Sequence, residues 1–347
     1  RGGAGELHSL PAKEGVTLPL TFGSGAREDR IAYDPKGERV VYITDAGGDE
    51  ALVTADAWGR GSVKQLVAPG VSGHAFTPTW SPDGTWIAWG DQTNTLWIIK
   101  AGGGEPVKVE QTAPWEISEY TWSPDGRWLA YNKADKLGRG VIYIYDTKEA
   151  KIHRITDWTT DNRTPAWDPD GRYLYFIGDR IVQPLLSDLG DFDQIQINPA
   201  RPCLVLLRPD VKNPFAASEG APPGPGDKKD DKDGKGKGKK EDQDKDSKKD
   251  SKKNSEKGSK KDSKQDADKK DEKPEPVEIA FDGIENRIVE VPVGPGRSFG
   301  LGATSGKLFY RSLELEPLFQ GDFGGEEEDG GGTLISFDLE EKEAKPF

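Results

Sequence analysis

Trp80-Ser81-Pro82-Asp83-Gly84, followed at once by Thr85-Trp86-Ile87-Ala88-Trp89, is the stretch from which the architecture of this chain is inferred. Proline at the second turn position has its φ already fixed, aspartate tolerates the third position, and glycine occupies the last, where φ is often positive. The stretch therefore predicts a type I turn with a glycine bulge, which closes a β-hairpin and leads into an apolar strand.

The same unit recurs along the chain. A second close copy is Trp122-Ser123-Pro124-Asp125-Gly126, followed by Arg127-Trp128-Leu129-Ala130-Tyr131, and looser copies are Asp34-Pro35-Lys36-Gly37 and Asp168-Pro169-Asp170-Gly171. The turns begin at residues 34, 81, 123 and 168, so one unit occurs about every 45 residues, which is a period typical of β-propeller blades. We therefore predict an all-β chain, a propeller of four-stranded blades with about five blades and part of a sixth.

The predicted strands are mostly apolar on both faces, as expected for sheets stacked between neighbouring sheets. In blade four the third strand is delayed to Leu204-Val205-Leu206-Leu207, and extended segments are predicted again at 277–281 and 288–293. In chain order we predict a partial blade (its last two strands) at 1–22, blades one to four at 23–218, a charged insertion at 219–276, and the end of blade four with a truncated blade five at 277–347.

The insertion at 219–276 differs in composition from the rest of the chain. Between Asp227 and Lys273 it holds 19 Lys and 15 Asp plus Glu, with almost no apolar residue. Such a run buries too little apolar surface to offset its ordering entropy, so we predict a disordered, solvated loop. Because loop-closure entropy grows only logarithmically with length, deleting it should leave folding intact. A tether for a partner is the alternative, but the evenly mixed charges favour an inert loop.

Charge and composition exclude several classes of function. The formal net charge is −13, and it is more negative still without the insertion, which argues against a nucleic-acid-binding face and weakly favours cationic or polar partners. No apolar run approaches the roughly 18 residues of a membrane-spanning helix. The chain begins Arg1-Gly2-Gly3 and contains no Met, so we expect it to be a piece of a longer protein.

No residue pattern predicts a metal or cofactor site. His8, His74 and His153 lie far apart without metal-ligand spacing, and we expect each to be solvated or packed. Asp231-Lys232-Asp233-Gly234 and the turn at 168–171 lack the 12-residue loop with a terminal Glu that calcium binding requires. Cys203, the single cysteine, excludes an intrachain disulfide and is predicted to be a buried small hydrophobe.

Three further motifs match functional patterns only in part. Gly296-Arg297-Ser298-Phe299-Gly300 has the spacing of a nucleophile elbow, but no histidine follows His153, so we place Ser298 in a turn between blades and predict no catalytic residue. The run 302–307 is one residue too short for a phosphate-binding loop and is followed by Leu308, which favours a hairpin turn. Asn162-Arg163-Thr164 is a glycosylation sequon by pattern alone.

The ten Trp are assigned mostly to blade cores, as with Trp86, Trp89, Trp122 and Trp128.

Two elements break the blade repeat and carry a specific resemblance. The first is Arg201-Pro202-Cys203-Leu204-Val205-Leu206-Leu207-Arg208 with its tail Lys212-Asn213-Pro214-Phe215, and the second is Phe281-Asp282-Gly283-Ile284-Glu285-Asn286-Arg287-Ile288-Val289. Together with the order of the turns, they resemble the second propeller of tricorn-type serine peptidases. The Ser-Pro-Asp-Gly repeat alone is shared with TolB-like and prolyl-oligopeptidase-like propellers.

The resemblance implies a large serine peptidase in which propellers form a path for peptides, followed by a PDZ-like domain and catalytic segments that are not in this sequence. Our leading hypothesis is a non-catalytic propeller that guides or filters peptides or unfolded substrates toward a catalytic core encoded beyond Phe347. Its partners would be those peptides and the PDZ-like and catalytic domains of the same parent chain, and homo-oligomer formation stays open. The resemblance favours a cytoplasmic location, with periplasmic or secreted locations still open.

Two alternatives belong to other classes of protein. One is a non-enzymatic, TolB-like scaffold that binds another protein on the propeller face. The other is the accessory propeller of a prolyl-oligopeptidase-type enzyme, which requires an α/β-hydrolase domain downstream.

Overall fold

Among the residues that it describes, the computed structural model of this chain contains five four-stranded antiparallel sheets. The structure describes residues 5–10, 16–21, 25–59, 61–67, 75–113, 115–180, 184–186, 194–196, 200–216, 274–294, 296–313 and 332–347. The sheets belong to one compact unit, Arg1–Phe215 with Pro274–Phe347; of a second unit, Ala216–Lys273, only Ala216 is described. The prediction of an all-β propeller is confirmed, whereas the predicted disorder of the insertion lies almost entirely outside the described residues.

The sheets are called blades one to five in chain order. Blade one contains β3 (Glu28–Tyr33), β4 (Arg39–Thr44), β5 (Ala51–Asp56) and β6 (Lys64–Val67). Blade two contains β7 (Thr79–Trp80), β8 (Trp86–Gly90), β9 (Thr95–Lys100) and β10 (Val107–Gln111). Blade three contains β11 (Tyr120–Trp122), β12 (Trp128–Ala134), β13 (Gly140–Asp146) and β14 (Lys151–Arg154).

The last two blades follow the same order. Blade four contains β15 (Asn162–Trp167), β16 (Tyr173–Asp179), β19 (Ala200–Leu206) and β20 (Ile288–Glu290). Blade five contains β21 (Arg297–Thr304), β22 (Lys307–Leu313), β23 (Thr333–Asp338) and β24 (Glu343–Pro346). Two short antiparallel pairs lie outside the blades, β1 (His8–Ser9) with β2 (Leu18–Pro19) and β17 (Pro184–Leu186) with β18 (Gln194–Gln196).

Blade four departs from the regular pattern in two ways. Its third strand is late because the β17–β18 pair lies between β16 and β19. Residues 277–281 form no strand and are followed by a 3₁₀ turn, Ile284–Arg287. This segment is attached through the backbone N–H of Ala280, which donates to the carbonyl of Leu207 at 2.9 Å. Within the described ranges, no helix is long and apolar enough to cross a membrane.

The repeated turns have the predicted geometry. In each turn the glycine N–H donates to the carbonyl of the first turn residue, at 2.8–2.9 Å, and the glycine φ is positive: 67° at Gly37, 70° at Gly84, 74° at Gly126 and 68° at Gly171. The first residue also supports the strand that follows the turn. Ser81 Oγ accepts from Trp86 N at 2.8 Å, and Ser123 Oγ accepts from Trp128 N at 2.9 Å.

Apolar cores lie between consecutive blades, so blades two, three and four are buried on both faces. The core between blades three and four, for example, joins Trp128 and Ile144 to Phe176 and Cys203. Cys203 is fully buried there, and burial raises the pKa of its thiol to about 12. The prediction that Cys203 is a buried small hydrophobe is therefore confirmed.

Candidate functional site

Each blade has two ends that carry different connections. Because neighbouring strands are antiparallel, the Ser-Pro-Asp-Gly turns and the turns between third and fourth strands lie at one end, here called the turn face. Loops between second and third strands, together with the connections between blades, lie at the other end, here called the loop face. In blade three the loop face carries 135–139 and receives the connections 112–119 and 157–161.

A groove of about 260 Å³ opens at the loop face where blades three and four meet. Its walls come from the connection that enters blade three, from β12, β13 and the loop between them, and from the start of blade four. The lining residues are mostly polar or small: Glu116, Ser118, Glu119, Asn132, Ala134, Gly138, Gly140, Asp161 and Arg163. Three of them are carboxylates and one is a cation.

The Glu119 carboxylate joins the two blades. Its Oε2 accepts from Asn132 Nδ2 in blade three at 3.0 Å and from the backbone N–H of Thr164 in blade four at 2.7 Å. Thr164 has a φ of 49°, which is unusual for a β-branched residue, and it lies in a bulge of β15. Backbone strain of this kind persists only where neighbouring groups enforce it, and Glu119 is one such group.

Asp161 and Arg163 form the blade-four wall of the groove. Asp161 Oδ1 accepts from Gly140 N at 2.6 Å, and its Oδ2 lies 2.8 Å from Arg163 Nη1. The same nitrogen lies 3.3 Å from Asp179 Oδ1; burial raises the pKa of Asp179, and Arg163 partly offsets that rise. Asp161 and Asp179 offset the positive charge of Arg163. With the carboxylates of Glu116 and Glu119, the groove therefore has a net negative charge.

Large apolar side chains are exposed beside the groove. Trp115 is 55% exposed, Leu137 75% and Trp158 56%, and all three lie on the loop-face segments of blade three. A Cβ at Gly138 would lie 3.7 Å from Trp115 Nε1, so this indole lies against the loop that lines the groove. The Cζ of Arg139 lies 5.7 Å from the centre of the Trp158 ring. Exposed aromatic side chains grouped at a polar groove are typical of an interaction surface.

The family model described as the tricorn protease second beta propeller domain matches residues 3–347. This chain belongs to that family. Tricorn protease homolog 1 of Streptomyces coelicolor is 27% identical over 216 residues, which cover 61% of this chain and 19% of the relative. Tricorn protease of Thermoplasma volcanium is 27% identical over 207 residues, which cover 58% and 20%. This tricorn-type propeller thus spans about a fifth of the length of these two relatives.

Solved structures agree on the fold. The crystal structure of the tricorn protease matches 95% of this chain and 27% of its own, with a TM-score of 0.65 and 16% identity. A Mycobacterium tuberculosis puromycin-hydrolyzing peptidase matches 99% of this chain and 41% of its own, with a TM-score of 0.55 and 13% identity. The chain is therefore a tricorn-type propeller domain of a peptidase family.

Neither of the two described histidines, His8 and His153, lines the groove. His153 is in β14, where its ring stacks on Phe281 with the ring centres 3.6 Å apart, and burial lowers its pKa. His8 is in β1, and His74 lies outside the described residues. In the part of the chain that the structure describes, no group of three or more His, Cys, Asp or Glu side chains is placed to hold a metal ion.

The remaining motifs lie in a strand, a hairpin turn and a buried position of the propeller. Ser298 lies buried inside strand β21 and pairs with Ser312, so its predicted position in a turn is wrong, and the strand gives it no elbow geometry. The run 302–307 contains the hairpin turn between β21 and β22, as predicted, with Thr304 paired to Lys307. Asn162 is fully buried, and its Nδ2 donates to the Thr160 carbonyl at 2.8 Å, so the folded chain does not present this sequon.

Reasoning from the sequence missed the groove. Its lining residues extend along the chain from Glu116 to Arg163, and no local pattern brings Glu119 next to Thr164. One signal was present: Trp115 and Trp158 lie in connections between predicted strands, where a core role is not expected.

Proposed function

We propose that this tricorn-type propeller binds peptides at the loop-face groove of blades three and four without cleaving them. In this role it guides or filters substrates for a peptidase core elsewhere in the parent protein. The observation that supports the proposal is the open groove itself, whose backbone and carboxylate groups can bind an extended chain. A nucleophile–base pair is absent from its lining residues, so binding alone is the chemistry that the groove supports.

The proposed partners follow from family membership. They are peptides or unfolded segments, together with PDZ-like and catalytic domains of the same parent chain, and the proposed location is the cytoplasm. An isolated groove of about 260 Å³ suits a few residues of a peptide better than a folded protein surface, which needs a far larger contact area.

Fluorescence anisotropy with labelled peptides of mixed sequence tests this function, with mass spectrometry of the same samples to follow cleavage. We expect saturable binding and intact peptides. Ser118 is exposed and lines the groove, so Ser118→Trp should weaken binding by filling it. The matched control is Ser62→Trp, which adds the same bulk on the turn side of blade one.

Two results would contradict the proposal. One is the absence of saturable binding with every peptide, combined with capture of a single folded partner, which would favour the TolB-like scaffold. The other is equal peptide affinity for Ser118→Trp and Ser62→Trp, which would show that peptides bind elsewhere.

A further inference from the structure

We infer that the loop-face groove selects a cationic group of the bound peptide, either a Lys or Arg side chain or the N-terminal ammonium. This inference rests on the proposed function and adds the chemical class of the ligand. Two features of the molecule support it independently, namely the exposed tryptophans and the charge balance of the groove walls.

Two exposed tryptophans lie on the connections that border the groove. Trp115 and Trp158 leave more than half of their surface in water, although each could have been packed in a core as most tryptophans of this chain are. The ring of Trp158 already lies beside a guanidinium, since Arg139 Cζ is 5.7 Å from its centre. Cations are attracted to the faces of indole rings, and tryptophan is the best of the aromatic side chains for this contact.

The loop 135–139, which lies beside these tryptophans, is held in place by the side chain of Asp135. Asp135 Oδ1 accepts from the N–H groups of Leu137 and Arg139, at 2.8 and 2.9 Å. These two hydrogen bonds lower the pKa of the Asp135 carboxyl below its ordinary value, and the bond from the Arg139 N–H has the larger effect. The loop therefore presents Leu137 and Arg139 in a fixed arrangement next to Trp115, which limits the ordering cost when a ligand binds.

The charges around the groove favour the same ligand. The two arginines at this edge are matched by acids: Arg139 Nη2 lies 3.3 Å from Asp135, and Arg163 lies near both Asp161 and Asp179. Glu116 and Glu119 then add negative charge to the groove, and Glu116 is exposed. A phosphate or another anion would face these carboxylates, and a wholly apolar segment would remove the exposed Glu116 carboxylate from water without giving it a partner. A cationic group is the ligand that satisfies both the carboxylates and the indole rings.

A set of matched peptides tests the inference on the full chain. The first has an acetylated N-terminus and one central lysine, the second replaces that lysine with norleucine, and the third keeps norleucine but has a free N-terminus. We expect the lysine peptide to bind about tenfold more tightly than the acetylated norleucine peptide. This difference in affinity should become smaller at high salt. If the third peptide binds more tightly than the acetylated norleucine peptide, the N-terminal ammonium can also supply the cationic group.

Substitutions locate the selectivity. Trp158→Ala and Trp115→Ala should each reduce the preference for lysine, while Trp158→Phe should keep part of it because a ring remains. The matched control is Trp58→Ala, since Trp58 is 55% exposed but lies on the turn face of blade one. Glu116→Gln should also reduce the preference, whereas Glu149→Gln, on the turn face of blade three, should not.

The possible failures are distinguishable. Equal affinity for all three peptides, unchanged by Trp158→Ala, would overturn the cation selectivity and leave the proposed peptide binding intact. No binding of any of the three peptides, nor of the mixed-sequence peptides, would overturn the proposed function and this inference with it.

Discussion

Trp122 Nε1 in blade three donates to the carbonyl oxygen of Thr79 in blade two at 3.3 Å. Each donor of this kind directly precedes a turn, and each acceptor lies two residues before the turn of the preceding blade. The same bond joins Trp80 to Ala32 at 3.2 Å and Trp167 to Thr121 at 3.1 Å. The tryptophan of the repeat therefore links first strands of consecutive blades, in addition to filling the core.

Trp122→Phe removes the N–H donor and leaves the Thr79 carbonyl without this bond. We expect it to lower the free energy of unfolding by about 1–3 kcal/mol, from the lost hydrogen bond and the smaller ring. Urea unfolding followed by circular dichroism measures the change. Trp115→Phe is the control, because Trp115 is exposed and should change stability by less than about 0.5 kcal/mol. Equal effects of the two substitutions would refute the linking role of Trp122.

Alanine substitutions at two turn glycines distinguish the cost of backbone strain from the cost of crowding between blades. Gly84 and Gly126 have similar positive φ values, 70° and 74°, so alanine should cost about 1–2 kcal/mol at either position. A Cβ at Gly84 would meet nothing closer than Pro35 Cδ at 3.9 Å, but at Gly126 it would lie 2.6 Å from Asp83 Oδ1. Gly126→Ala should therefore lower the urea midpoint clearly more than Gly84→Ala. Identical midpoints would mean that the neighbouring turn moves away freely.

Asp83 itself is held by its own turn. Its Oδ1 accepts from Ser81 Oγ at 2.5 Å, and its Oδ2 accepts from Thr85 Oγ1 at 2.6 Å. These bonds outweigh the effect of burial and lower the pKa of the Asp83 carboxyl. A carboxylate fixed in this way cannot easily make room for an alanine at Gly126.

The segment after the insertion is anchored on blade three. Val277 N donates to Asp125 Oδ2 at 2.8 Å, and its carbonyl accepts from Trp128 Nε1 at 2.9 Å. Deleting 217–273 behind a short linker should change the free energy of unfolding by no more than about 1 kcal/mol, since a shorter loop closes at a similar entropic cost.

Extending that deletion through residue 281 should lower the melting temperature, because it removes both bonds and the packing of Phe281 on Trp128. Differential scanning calorimetry of the two deletions compares them directly. A large loss with the shorter deletion, or no loss with the longer one, would contradict this division between insertion and anchor.

His153 makes stability depend on pH. Burial, followed by the charge of Lys151, lowers its pKa below the ordinary value of 6.5, so the folded chain favours the neutral ring that stacks on Phe281. The stabilisation is therefore fully present above pH 6.5 and is lost as the pH falls through the lower folded-state pKa. Urea midpoints between pH 7.5 and pH 5 should fall in the native chain, and the fall should be smaller in His153→Phe. His8→Phe serves as the control and should keep the native dependence.

Local chemistry explains what could be predicted from the sequence. The Pro-Asp-Gly residues set the turns, and the apolar run after Gly84 forms strand Trp86–Gly90 as predicted, because turn and strand preferences act over a few residues. Ser298 was misplaced because a glycine-rich run fits a turn or a bulged strand equally well, and pairing with β22 selects the strand.

The candidate site depends instead on contacts between distant residues. Glu119 meets Thr164 only after two blades have packed together. Whether Trp158 is exposed is likewise decided by how the connection between these blades packs. Neither the periodicity nor the turn chemistry of a single chain contains that information.

The most direct measurement maps where a peptide contacts this propeller. A lysine-containing peptide that carries a photo-reactive benzoylphenylalanine is bound, irradiated and located by mass spectrometry of the cross-linked fragments. We expect labelling of the loop-face segments 115–119, 134–140 and 158–164, with the peptide otherwise intact. Labelling confined to the turn-face segments 81–86 and 123–128, or a cleaved peptide, would contradict non-catalytic peptide binding at the loop-face groove.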